Sequence, residues 1–199
     1  MLTRNPRPPA SMPSTGLEPR YDSLAKALHW VIAALLVAQY ILAWLMPNIG
    51  PNTPPDRVIN LHLSFGILIL ALMAVRLMYR RMRPVPLSTV DSPAWERTVA
   101  VLTHRVFYLV LLLGPFLGWA SASAHGIPVV VFGLLPLPDI AMPQAGWALL
   151  AGDIHTWSMW ALLGLIALHA AAALYHHFFR HDGVLRRMIP RTGGSARST

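Results

Sequence analysis

The chain has 199 residues, of which 55% are hydrophobic and 12% charged, with a formal net charge of +8 and no cysteine. So little charge cannot cover a water-facing surface, which argues against a soluble enzyme. The lack of cysteine excludes disulfides, thiolate zinc sites, iron–sulfur clusters and thioether-attached haem, and leaves nine histidines as the only strong metal ligands.

The first 20 residues, rich in Pro and Arg, have no apolar core and read as a disordered arm, not as a cleaved signal peptide. Four apolar stretches follow: Leu24 to Met46, Val58 to Tyr79, Thr98 to Ala122 and Ile154 to Phe179. Each exceeds the roughly 20 helical residues that cross a hydrocarbon core of about 30 Å. Between the third and fourth, Ile127 to Leu150 is apolar but broken by Pro128, Pro136, Pro138 and Pro143. It is expected as a loop lying on the interface, anchored by Trp147. The expected fold is an all-α, four-helix transmembrane bundle over residues 21–181, with an arm at 1–20 and a basic tail at 182–199.

Of the 16 basic residues, 15 flank one side of this arrangement, and Arg57 alone lies on the other. Retention of positive charge in the cytoplasm predicts both termini there. The same distribution, interrupted by long apolar stretches, forms no continuous basic stripe, so no nucleic-acid partner is expected; the partner of this charge is the lipid bilayer.

Ionisable side chains inside a membrane are costly and face the bundle interior. His29, His62, His104, His155 and His169 all fall within the expected spans. Alternating helix directions place His62 and His155 near the outer face and His29, His104 and His169 nearer the inner one. His155 and His169 are 14 residues apart, about 21 Å along one helix and nearly four full turns, so they share a face at two depths. The outer level pairs His62 with His155. At the inner level His169 can pair with His29 or His104; Arg105 pulls His104 towards the headgroups, which favours His29. Two imidazoles per level are too few for a structural zinc site, whereas a tetrapyrrole supplies four further ligands to iron. Two bis-histidine b-type haems therefore fit the ligand count and the absence of cysteine.

The segments LHW at Leu28 to Trp30, INLHLSFGILIL at Ile59 to Leu70, VRL at Val75 to Leu77, THRVFYLVLLLGPFLGW at Thr103 to Trp119 and LHAAAALYHHFF at Leu168 to Phe179 resemble the bacterial cytochrome b-561 family over about residues 20 to 190. The resemblance implies an inner-membrane di-haem protein similar to the superoxide oxidases, which pass electrons from periplasmic superoxide to ubiquinone. It implies His29 and His169 as ligands of one haem, His62 and His155 as ligands of the other, and His104 and His176 as candidates for the quinone site. Two features depart from the family pattern. The outer loops hold Asp56, Asp139 and Asp153 against Arg57, and a lysine-rich stretch before the third span is replaced by LSTVDSPAWE at Leu87 to Glu96. A cytochrome b subunit fed by a periplasmic dehydrogenase or carrier protein is a second redox reading. A histidine-based metal or proton transporter is a third reading, though the spans lack the acidic residues such a protein would use.

Overall fold

A computed structural model of the chain describes residues 22–50, 53–54, 56–83, 93–182 and 184–189. The expected arm at 1–20, most of the connection between the second and third spans, and residues 190–199 of the tail lie outside the described residues. Four helices, α1 (Ser23–Leu45), α2 (Arg57–Met82), α3 (Ala94–Ala124) and α4 (Gly146–Phe178), are each long and apolar enough to cross a membrane. Asp22 and Asp56 cap the first two, their carboxylates accepting from the backbone N–H of Ala25 and Ile59 at 2.8 and 2.7 Å, which satisfies donors left over in a first turn.

The fold class is the expected one, with two differences of extent. Helix α3 begins four residues before Thr98 and α4 eight residues before Ile154. Glu96, Arg97 and Asp153 end the apolar runs without ending the helices, because charge is tolerated where a helix leaves the hydrocarbon. Trp147 consequently lies in the first turn of α4, not in a loop.

The segment expected as a loop on the interface is anchored to the bundle by its first residues. After α3 the chain turns back through Ile127 and Val129, each 1% exposed and packed with Ile59 and Ala122. It then forms a small antiparallel hairpin, β1 (Val130–Val131) with β2 (Leu135–Pro136), in the register Val130 to Pro136 and Val131 to Leu135. Asn60 and Ser64 on α2 hold it: the Asn60 amide donates to the Val130 carbonyl at 3.0 Å, and the Phe132 N–H donates to Ser64 Oγ at 2.8 Å. The prolines that exclude a helix here leave Val130–Val131 and Leu135–Pro136 free to pair, and apolar side chains on both sides give them a place to pack.

The helices pack in chain order, α1 on α2, α2 on α3 and α3 on α4, and neither α1 nor α2 approaches α4 closely along the backbone. A gap therefore runs between α4 and the first two helices, bridged where the Tyr40 hydroxyl donates to the Met159 carbonyl at 2.7 Å. At the basic end of the bundle, Arg76 donates to the Ala25 carbonyl at 2.9 Å and the Tyr79 hydroxyl donates to Asp22. That bond, with the Ala25 N–H, holds the half-buried Asp22 carboxyl below the usual carboxylate range. Residues 184–189 lie against α1 at the same end, where Trp30 Nε1 donates to the Met188 carbonyl at 2.8 Å.

Candidate haem sites along the fourth helix

Each expected intramembrane histidine lies on its expected helix, and α4 carries one at each of two levels. At the hairpin end, the rings of His62 (α2) and His155 (α4) face each other with centroids 6.3 Å apart and planes at 87°. Metal–imidazole nitrogen bonds are about 2 Å long, and the two rings are near enough for His62 and His155 to be the residues that would hold one iron-bearing group between α2 and α4. Both rings border a cavity of about 570 Å³, which extends between Leu36, Tyr40, Ile67 and Met159. This volume falls within the usual range for cofactor sites. His62 Nδ1 and Gln39 Oε1 are buried there without a hydrogen-bond partner, and buried polar atoms in this state ordinarily await a ligand, ion or water.

His155 is positioned by α3. Its Nδ1–H donates to the Gly114 carbonyl at 2.8 Å, leaving Nε2 free. A bond of this kind is what fixes the tautomer and orientation of a metal-ligating imidazole. The ring lies on a groove made by Gly114 and Gly118, which are one turn apart; a Cβ at Gly118 would stand 3.3 Å from His155 Cε1. Pro115, inside α3, removes one backbone donor next to this groove. The two glycines were not singled out from sequence, although their spacing of four within LGPFLGW is a readable sign of a close approach to one face.

At the basic end, His104 and His169 are in ring contact, centroids 5.5 Å apart at 88°, and Phe107 packs edge-on against His169 at 5.4 Å. His104 Nδ1–H donates to the Ala100 carbonyl at 2.6 Å, one turn back on its own helix. His29 lies against Trp30 at 5.4 Å and within electrostatic range of Arg76, His169 and His104. The structure thus gathers three histidines at this level and two at the other. Among the described residues no group of three or more His, Asp or Glu is arranged to hold a bare metal ion. Apolar surroundings, paired imidazoles and a large cavity fit a tetrapyrrole better than an isolated ion.

His176 lies two turns beyond His169 and is joined to Asp182, its Nδ1–H donating to Oδ2 at 2.5 Å. Partial burial pushes the Asp182 carboxyl up, but the His176 hydrogen bond, the Val184 N–H and the charges of His176 and Arg180 outweigh it and hold the group below the usual carboxylate range. Arg180 in turn pairs with Glu96 of α3 at 2.5 Å. Asp182 was not among the expected site residues, because its approach to His176 depends on the chain reversing after α4, where His181 takes a positive φ of 52°.

A four-helix membrane protein with paired histidines at two depths is defined by these features as a b-type cytochrome. The profile of the family described as prokaryotic cytochrome b561 matches residues 20–191. Similar proteins include "Cytochrome b561 homolog 2" of Escherichia coli, 28% identical over 182 residues covering 91% of this chain and 97% of the relative. "Cytochrome b561 homolog 1" of the same organism is 32% identical over 176 residues, covering 86% and 98%. "Probable superoxide oxidase CybB" of Yersinia pestis is 28% identical over 185 residues, covering 88% and 98%. The chain belongs to the prokaryotic cytochrome b561 family, and is a bacterial membrane protein that binds haem b and transfers electrons.

The groove under His155 gives a direct test. Gly118→Val places a branched side chain against the imidazole; if His155 is a haem ligand, the variant is expected to lose the haem that His155 would hold and to keep any held at the basic end. Low-temperature absorption and redox titration of the purified variant separate the two; equal loss of both from a folded protein would contradict the assignment.

Proposed function

We propose that the chain is a di-haem cytochrome of the inner membrane that carries electrons from a periplasmic donor, superoxide, to ubiquinone. The carrying observation is that α4 presents His155 and His169, 14 residues apart, His155 in ring contact with His62 of α2 and His169 beside two histidines, His104 in ring contact and His29 within electrostatic range. In this reading His62 and His155 hold the haem nearer the periplasm, and His29 and His169 hold the one nearer the cytoplasm. Haem iron, when bound, supplies reversible one-electron transfer. Two superoxide ions each give up one electron and become dioxygen, and the quinone takes two electrons and two protons to become quinol.

The protein's own residues divide the remaining work. The Gly114 carbonyl orients His155, and Tyr40 ties α1 to α4 across the gap beside the outer pair. At the cytoplasmic end His176 and His104 are the residues that would receive the quinone headgroup in this reading. Asp182 anchors His176 through Nδ1, so Nε2 is left to pass a proton to the reduced quinone. The name of the Yersinia pestis relative supports superoxide as donor. The balance of Asp56, Asp139 and Asp153 against Arg57 leaves Arg57, the first residue of α2, as the fixed positive charge on the periplasmic side.

Reduced-minus-oxidised absorption with a haem assay is expected to give two haem b per chain, His62→Ala or His155→Ala removing one and His29→Ala or His169→Ala the other. Full haem in His29→Ala with loss in His104→Ala would show that His104 is the partner of His169. Reporter fusions at both termini are expected to report cytoplasm, and a periplasmic C-terminus would reverse the assigned levels.

In stopped flow with a superoxide source, Arg57→Glu is expected to slow haem reduction several-fold, and the wild-type rate to fall with salt, as anion steering is screened over about 8–10 Å. Reduction no faster than in a haem-free control would remove superoxide as donor in favour of a protein partner. His176→Ala is expected to leave haem reduction intact and to slow electron exit to a soluble quinone by about 100-fold. Asp182→Asn should produce a smaller loss, about tenfold, in the same assay.

A further inference from the structure

The hairpin after α3 has a depth that can be read from α2. Between Arg57 and Arg76, the stretch Val58 to Val75 contains no charged residue. Its 18 residues span about 27 Å at 1.5 Å each, close to the roughly 30 Å of a hydrocarbon core. Arg57 therefore marks one edge of the core. The hairpin is fastened below that edge: Val130 to Asn60, Phe132 to Ser64, and the Phe132 ring edge-on against Phe65 at 5.6 Å between centroids. Ser64 and Phe65 lie about 10 and 12 Å along α2 from Arg57.

The tip also has the chemistry that such a depth requires. No charged residue occurs from Ile127 to Pro138. Non-helical backbone at membrane depth is tolerated only where protein covers it or it lines a cavity, and here Asn60 and Ser64 hold the hairpin backbone against α2. The N–H groups of Phe132, Gly133, Leu134 and Leu137 bond to Ser64 Oγ and to the carbonyls of Val130, Val131 and Val129, at 2.8 to 3.1 Å. Leu134 and Leu135 are turned away from the protein, Leu134 87% exposed, and Phe132 keeps part of its ring exposed beside Phe65. In water this would be a costly patch.

We propose that the hairpin tip, Phe132 to Leu135, is seated among lipid acyl chains of the leaflet at its end of the bundle, as a short re-entrant element continuous with the lipid-facing side of α2. Its buried root, Ile127 and Val129, closes the cavity beside His62 and His155, so the lipid contact holds one wall of that cavity in place.

The absence of cysteine allows a nitroxide to be introduced at one position at a time. Leu134→Cys and Leu135→Cys are labelled in the full haem-loaded protein in phosphatidylcholine vesicles. Collision rates are then measured with dioxygen, which partitions into hydrocarbon, and with a water-soluble nickel chelate. Val37→Cys, on an exposed position of α1, serves as the lipid reference and Asp139→Cys as the aqueous one. The expected result is an oxygen-to-nickel ratio at 134 and 135 like that at 37 and several-fold above that at 139. Nickel access equal to that at 139 would place the tip in water and overturn the proposal. Protection from both reagents would do the same, since it would mean a protein partner or second copy covers the tip.

Discussion

An imidazole inside hydrocarbon has two nitrogens to satisfy and no water to satisfy them, and the arrangement of this protein follows from that constraint. His155 meets it with a backbone carbonyl borrowed from another helix, His104 with one from its own. Each then keeps a second nitrogen that only a further group can satisfy. His62 is left with a buried nitrogen that has no hydrogen-bond partner, beside a Gln39 side-chain oxygen in the same state. Such groups are costly in a membrane, and a buried nitrogen of this kind is where a bound group would recover part of that cost.

The gap between α4 and the first two helices belongs to the same argument. Helices in lipid associate through close packing and small residues, because lipid gives them no hydrophobic reason to meet. Here α3 and α4 do pack closely, with Gly114 and Gly118 receiving His155, while α1 and α2 stand away from α4. Tyr40 spans the interval with a single hydrogen bond. A family of haem proteins would be expected to leave this space, and the cavity at His62 and His155 occupies it.

Much of this was legible in the residues themselves. Span number, span type and the two histidine levels follow from hydropathy and from the 14-residue interval between His155 and His169, both of which depend on local sequence and helical period alone. The hairpin was not legible: the prolines from Pro128 to Pro143 say only that no helix forms, and nothing local shows that Asn60 and Ser64, about 70 residues earlier, will bind the backbone there. The same limit applies to Asp182, whose meeting with His176 needs a chain reversal, and to the third histidine at the basic end, since neighbours across helices are set by rotation about helix axes that a single hydrophobic pattern leaves open.

The sharing of α4 between both levels also has a consequence for biogenesis. Translation delivers His29, His62 and His104 to the membrane first, on three helices that carry no complete ring pair. Both ring contacts, His62 with His155 and His104 with His169, draw a member from the last helix to leave the ribosome. A nascent chain arrested after α3 therefore holds three imidazoles whose partners across the bundle have yet to be made, and only the last helix completes either contact.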